Sequence, residues 1–221
     1  ERKKIFFAKS DYDRFETNLK ESNDKFGIRL HCYVLMTNHY HLLVETPEGN
    51  ISKVMHYVNA SYTNFFNRKR GRVGHLLQGR YRAILIERDS YLLELSRYIH
   101  LNPIRADLVS TLSDLDRFPF AGHSTLVGSR AGIWQDTDYV LSLFADTRED
   151  ARALYRSYME AGVEQGKRDD LSGGGLLRSI GGWSELKGQR QRVKGDQRIL
   201  GDSDFVLKVL SDANERLEKR T

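Results

Sequence analysis

The chain has 221 residues, of which 39% are apolar, with a formal net charge of +5 and an isoelectric point of about 9.2. Such a chain can bury a core in one or two domains, and its basic excess is compatible with a polyanionic partner. It has no apolar run near the ~20 residues of a membrane span and no signal-peptide pattern, and its single cysteine excludes an intramolecular disulfide, so we expect a cytoplasmic protein without membrane contact.

The first half of the chain predicts helices alternating with strands. Residues 11–26 carry apolar side chains at helical spacing, and "GIRLHCYVLM" and "HYHLLVET" are strand-forming runs separated by "TN", which predicts a hairpin. A second helix is predicted over 50–69. The run "YRAILIER" at 81–88 predicts a third strand of the same sheet, and 89–102 a helix that ends before Pro103.

The second half has a looser pattern. Helices are predicted over 137–144 and 147–162, the latter opened by a capping box from Thr147 to Asp150. Residues 166–197 are rich in glycine and charge and predict a linker, so we expect a boundary near residue 165. A final helix is predicted from residue 202, with an apolar stripe that needs a partner.

Two histidines open the second predicted strand. Successive side chains of a strand point to opposite faces, so His39 and His41 share one face while Tyr40 points the other way. The pair could hold a cation, which needs at least one further protein ligand. Tyr98 and Asn102 lie four residues apart on the last predicted helix of the first half, within about 40° of each other at the margin of its buried face.

This set of residues suits the cleavage of a phosphodiester. A divalent ion held by neutral imidazoles and the Asn102 amide oxygen would polarise the phosphate, and Tyr98 would attack phosphorus. A phenol is a weak nucleophile at neutral pH, so it needs the ion or a nearby base. The covalent phosphotyrosine stores the bond energy, so strand transfer needs no ATP. Each signal alone is commoner as a structural feature, since most paired strand histidines and most helical tyrosines bind nothing.

In combination, the words "YVLMTNHYHLLVETPEGNISKVMHYV" and "GHLLQGRYRAILIERDSYLLELSRYIHLNPIRADLV" closely resemble the REP-associated tyrosine transposases, a bacterial branch of the HUH single-strand DNA transposases. The resemblance covers roughly residues 1–125. It implies that His39 and His41 bind a divalent metal, Mg²⁺ or Mn²⁺, that Tyr98 is the nucleophile, and that Asn102 matches the position of the third metal ligand.

The resemblance also implies a fold and a substrate. The expected fold is α+β, with an antiparallel-centred sheet covered by helices in a ferredoxin- or RRM-like arrangement and a helical C-terminal extension. We expect a catalytic domain over 1–125 that lacks the family's first strand, a helical extension over 126–165, and a linker with a final helix over 166–221. The expected reaction is nicking and strand transfer of single-stranded DNA near palindromic hairpins, by a bacterial, cytoplasmic enzyme for which a monomer is favoured over a dimer.

Basic residues are concentrated around the proposed site. Between residues 51 and 109 there are ten basic and four acidic residues, a net of +6, whereas the whole chain is +5. Neutralisation of a nucleic-acid backbone needs such a concentration of positive charge, although a solvated basic face could produce it too. The residues expected to contact DNA are Arg68, Lys69, Arg70, Arg72, Arg80, Arg82, Arg97 and Arg105.

Two other functions remain open at this point. "HYHLLVE" also fits the His-x-His-x-x-x-Glu core of a cupin, with Glu45 on the face of the histidines, but a cupin is nearly all β whereas this chain predicts at least four helices. Alternatively, the protein is a domesticated descendant that binds DNA hairpins without cutting them. Intact His39, His41, Tyr98 and Asn102 favour the enzyme.

Overall fold

The computed structural model describes residues 3–132, 134–165 and 198–218, and the predicted linker at 166–197 lies outside them. The described chain divides into two units. The first comprises 3–81 and the described part of 96–165, and the second comprises 82–95 with 198–218. In these ranges no helix is both long and apolar enough to cross a lipid bilayer.

The first unit is built on a hairpin and two long helices. Its opening elements are α1 (Lys9–Phe26), β1 (Arg29–Leu35), β2 (Tyr40–Glu45) and α2 (Ile51–Arg70). Both helices end where a glycine takes the left-handed conformation, at Gly27 (φ 61°) and Gly71 (φ 57°), and the glycine N–H closes the last turn. The two helices and the predicted hairpin are therefore confirmed, within two residues at the helix ends.

The hairpin places one face of its two strands in the core. β1 and β2 pair antiparallel, with Leu35 opposite Tyr40 and Val34 opposite His41, and a bulge interrupts the register at residue 31. The side chains of one face pack with α1 and α2 in a cluster that includes Phe15 and Tyr62. Cys32 is buried in β1, where burial raises the pKa of its thiol to about 12 despite a hydrogen bond with Ser96.

Short helices follow in the first unit. The tyrosine-bearing helix α3 (Arg88–His100) contributes residues to both units, and the elements after it pack within the first. They are α4 (Asn102–Arg105), α5 (Leu112–Asp116), α6 (His123–Leu126), α7 (Thr137–Ser142), α8 (Arg148–Glu160) and a 3₁₀ turn (Val163–Gln165). The hydroxyl of Thr147 caps α8 by accepting the N–H of Asp150, as predicted. The predicted domain limits at 125 and 165 stay predictions.

The second unit contains the third strand. β3 (Leu85–Ile86) is only two residues long and pairs parallel with β4 (Ile199–Leu200). The last helix, α9 (Ser203–Glu218), packs its apolar stripe against Ile199. This stripe was the predicted face in need of a partner, and its members are Phe205, Val206, Val209 and Leu210.

The predicted fold class is confirmed, since an antiparallel pair of strands is covered by helices in an α+β arrangement. The prediction of a long third strand in the same sheet is wrong. The outer edge of β1 is bonded instead by the segment 120–122, because Leu35 N–H donates to Phe120 O (2.8 Å) and Gly122 N–H donates to Tyr33 O (2.9 Å). Strand propensity alone cannot choose the pairing partner of an apolar run. The helical fold also excludes the cupin alternative.

Candidate active site

The alternation of β2 presents the histidines away from the helical core. Tyr40 points into that core, where its hydroxyl donates to Asn59 Oδ1 (2.6 Å) and its ring lies 4.7 Å from that of Phe15. His41 is on the opposite face of the strand. His39 is exposed and lies immediately before β2, with its ring centroid 5.0 Å from that of His41. The predicted sharing of one face is therefore observed, although His39 precedes the strand.

The turn that carries His39 is fixed from two directions. Met36 N–H donates to His39 O (2.9 Å), which closes the turn between β1 and β2. The backbone N–H groups of Ile5 and Phe6 both donate to Thr37 O (2.9 and 3.1 Å), so the N-terminal segment holds the turn against the core. A histidine in such a turn has a defined position before any ligand binds.

Each imidazole has a nitrogen that can bind a metal. Burial, with a smaller effect of nearby His39, lowers the pKa of His41 to about 4, so its ring is neutral at pH 7. His39 Nδ1 lies 2.6 Å from Asn38 Oδ1, and because an amide oxygen only accepts, Nδ1 carries a hydrogen, which leaves Nε2 as the nitrogen able to bind a metal. A hydrogen bond of this kind orients a metal-binding histidine. Asn38 was not among the site residues predicted from the sequence, where only its position beside His39 could have indicated it.

Tyr98 faces this pair from α3. Its ring centroid lies 6.4 Å from that of His41, with the two rings nearly perpendicular, and its side chain is half-buried. The guanidinium of Arg105 lies 5.1 Å from the centre of the Tyr98 ring and donates to Tyr98 O (3.1 Å). The positively charged Arg105 side chain is therefore held beside the Tyr98 ring by the segment that follows α3. The helical periodicity of the sequence does not predict this contact.

Asn102 begins α4, one residue after the end of α3. Its Nδ2 donates to Tyr98 O (2.8 Å) and to Ile99 O (3.2 Å), so it satisfies carbonyls that the end of α3 leaves open. Pro103 is accommodated because it lies in the first turn of α4, where its missing N–H costs nothing. The amide nitrogen is thus committed to the helix, which leaves Oδ1 as the atom able to bind a metal.

The nitrogen and oxygen atoms available at this site suit a divalent cation of intermediate hardness. Two imidazoles and an amide oxygen are ligands such an ion accepts, and the orientation of His39 by Asn38 is what a metal-binding histidine requires. Across the described part of the chain, no three His, Cys, Asp or Glu side chains converge as a metal site, so an amide would have to complete this one. Glu45 contacts Arg29 (3.5 Å) and His31 (3.3 Å) instead.

Seven of the eight basic residues expected to contact DNA fall into two groups, and the eighth, Arg105, lies over the Tyr98 ring. Lys69 and Arg70 form ion pairs with fully buried Asp11 (2.8 and 2.6 Å), and Arg97, only 7% exposed, lies 4.1 Å from the centre of the Tyr158 ring. These three have structural partners within the fold. The members of the other group have exposed side chains, and they are Arg68, Arg72, Arg80 and Arg82.

An α+β domain that presents two histidines beside a helical tyrosine is typical of DNA-processing transposases. The family model described as transposase IS200-like matches residues 1–102, and this segment is similar to that family of single-tyrosine transposases. The matched segment includes His39, His41, Tyr98 and Asn102. DNA is accordingly the substrate class. No curated protein and no solved structure matches the chain.

Proposed function

We propose that the protein is a metal-dependent endonuclease and strand transferase of single-stranded DNA, of the REP-associated branch, which acts near palindromic hairpins in the bacterial cytoplasm. The observation that carries the proposal is the proximity of the Tyr98 ring to His41, 6.4 Å between centroids, with His39 a further 5.0 Å along the same face. A tyrosine beside two metal-binding groups has a single obvious use on DNA, which is attack on a phosphodiester.

The chain's own residues supply the nucleophile and its surroundings. Tyr98 gives up its phenolic proton to solvent and its Oη attacks phosphorus, so that Tyr98 becomes bonded to the 5′-phosphate of the downstream strand. The bond from phosphorus to the 3′ oxygen breaks, and this oxygen takes up a proton from solvent to become a 3′-OH. Arg105 holds positive charge beside the ring, where it attracts the phosphate that approaches Tyr98. Reversal of the step with a second 3′-OH transfers the strand and releases Tyr98.

His39, His41 and the Oδ1 atom of Asn102 would hold the cation. When bound, a divalent cation would offset the charge that builds up on the phosphate oxygens. Mn²⁺ suits two imidazole nitrogens better than Mg²⁺, which takes oxygen ligands almost exclusively. Because Tyr98 and His41 meet within one chain, the arrangement supports a monomer that uses its own tyrosine.

The test is covalent capture of DNA. The full chain is incubated with Mn²⁺ and a library of fluorescent single-stranded oligonucleotides in which palindromic hairpins carry randomised flanks, and adducts are resolved on a denaturing gel. We expect an adduct with the wild-type protein and none with Tyr98→Phe, because Phe lacks the attacking oxygen, whereas hairpin binding persists. Tyr91→Phe is the matched control, since it removes a hydroxyl from the same helix, and we expect it to form the adduct.

Two results would contradict the proposal. Adduct formation by Tyr98→Phe would mean that another hydroxyl attacks. Hairpin binding by the wild-type protein without any adduct would identify a domesticated DNA-binding protein instead of an enzyme.

A further inference from the structure

A chain of buried polar side chains lies on the side of α3 that faces away from the histidine pair. His100 and His123 both reach the hydroxyl of Tyr155 through Nδ1, at 2.8 and 3.0 Å, and all three side chains are fully buried. His123 Nε2 lies 2.9 Å from Asp116 Oδ1, and Asp116 also accepts from Arg156 (3.0 Å). This set, called the polar chain below, joins α3, α5, α6 and α8.

The direction of each hydrogen bond in the polar chain follows from the acceptor at its end. The Asp116 carboxylate only accepts, so His123 Nε2 carries a hydrogen, and because burial lowers the pKa of His123, its Nδ1 is the acceptor. Tyr155 must then donate to His123 and accept from His100 Nδ1–H. Within the described structure, His100 Nε2 is left buried without a hydrogen-bond partner. Among the described residues, His100 is thus oriented by one side-chain hydrogen bond, which it donates to Tyr155.

Helix α8 also contacts α3 at a second point, about one helical turn before His100. Arg97 lies three residues before His100 and so on the same side of the helix. Its guanidinium lies over the Tyr158 ring and donates to Tyr158 O (3.4 Å). The Arg97 stem lies against Gly162, where a Cβ would overlap Cδ, so the chain after α8 closes directly onto this side chain.

The two residues of α3 that contact α8 lie on either side of the catalytic tyrosine in the sequence. Arg97 and His100 are held by α8, while Tyr98, between them, points to the opposite side toward His41. We propose that Tyr155 and Arg97 are positioning residues, through which α8 fixes the rotation and height of α3 and so places Tyr98 for attack. The residues of α8 lie beyond the segment that the family model matches, which ends at residue 102. This inference rests on the proposed function of Tyr98.

The test compares Tyr155→Phe with Tyr62→Phe in the full chain. Each variant removes one buried tyrosine hydroxyl, but the Tyr62 hydroxyl donates to Ile5 O, in the core between α1 and α2. With saturating hairpin library and Mn²⁺, we expect the rate of adduct formation to fall between tenfold and a hundredfold, as order-of-magnitude values, for Tyr155→Phe and to stay near wild type for Tyr62→Phe. The dissociation constant for DNA should be unchanged in both.

Backbone hydrogen exchange provides a readout that needs no activity. Tyr155→Phe should speed exchange across residues 96–101, whereas Tyr62→Phe should leave that segment unchanged. A second variant, Arg97→Met, keeps an unbranched stem against Gly162 but removes the guanidinium, and we expect it to act like Tyr155→Phe. Arg97→Met also tests the positioning role if Tyr155→Phe fails to fold.

The outcomes separate the two proposals. If both variants leave adduct rate and exchange at 96–101 as in Tyr62→Phe, the positioning role is wrong. If the wild-type protein forms no adduct, the proposed function is wrong, and hydrogen exchange alone then decides whether α8 fixes this part of α3.

Discussion

At the scale of single residues, Asn102 has two separate tasks. Its Nδ2 satisfies the carbonyls of Tyr98 and Ile99, and its Oδ1 is the atom proposed to bind the metal. Asn102→Asp separates these tasks, because a carboxylate keeps an oxygen that can bind the metal but cannot donate a hydrogen bond to the carbonyls. Its negative charge is also unfavourable at the C-terminal end of a helix, where the helix dipole is negative. We expect the variant to unfold more easily without metal, by roughly 1–2 kcal/mol, while it binds Mn²⁺ at least as tightly.

Thermal unfolding without metal and Mn²⁺ titration followed by electron paramagnetic resonance measure the two effects. Asn102→Ala is the control, since it removes both functions and should lower both stability and Mn²⁺ affinity. Unchanged Mn²⁺ affinity in Asn102→Ala would show that Asn102 only terminates the helix.

Sequence reasoning was sufficient for some parts of the site and not for others. The period of a strand places His39 and His41 on one face and Tyr40 on the other, and the structure has this arrangement. The period of a helix cannot show which distant side chain meets it. Tyr155 therefore lay outside any prediction, because its contact with His100 spans 55 residues and depends on tertiary packing.

At the scale of elements, one carboxylate joins the start of α1 to the end of α2. Asp11 accepts hydrogen bonds from the N–H groups of Phe7 and Ala8 and pairs with Lys69 and Arg70. Burial alone would raise the pKa of Asp11, but the bonds from Arg70, Lys69 and the two N–H groups outweigh it and hold that pKa well below its usual range. The helical pattern of residues 11–26 predicted α1 without indicating this function.

The depressed pKa of Asp11 predicts a specific acid dependence of stability. The unfolded carboxyl takes up a proton at higher pH than the folded one, so the stabilisation is complete above the ordinary pKa of ~4 and is lost as pH falls below it. We expect Asp11→Asn to lower the free energy of unfolding by roughly 2–4 kcal/mol at neutral pH, and the difference from wild type to shrink between about pH 5 and pH 2.

Urea unfolding at a series of pH values measures this difference. Asp13→Asn is the control, because Asp13 pairs with exposed Lys9 on the surface of α1 and its loss should change stability little at any pH. A difference for Asp11→Asn that stays constant down to about pH 2 would contradict the assigned pKa direction.

At the scale of the whole molecule, positive charge is divided between the fold and the solvent. The segment 51–109 carries more net charge than the chain as a whole, which the sequence shows directly. Which bases are available to DNA is a tertiary property, since Lys69 and Arg70 are paired with Asp11 and Arg97 is covered by α8. Composition alone treats all of them alike, because it contains no information on burial.

This division predicts which substitutions change the salt dependence of DNA binding. Each phosphate neutralised on a single strand contributes a log–log slope of about −0.7, because binding releases a condensed counterion. Arg72 and Arg80 are exposed, so we expect Arg72→Gln and Arg80→Gln each to flatten the slope by about 0.7 between ~50 and ~200 mM salt. Arg97→Met should leave the slope unchanged, because the guanidinium it removes is buried against Tyr158.

Fluorescence anisotropy with a hairpin-bearing single strand gives these slopes, and Lys9→Gln, an exposed base outside the segment, is the control. Equal slopes for Arg72→Gln, Arg80→Gln and Lys9→Gln would show that the basic segment is an ordinary solvated surface.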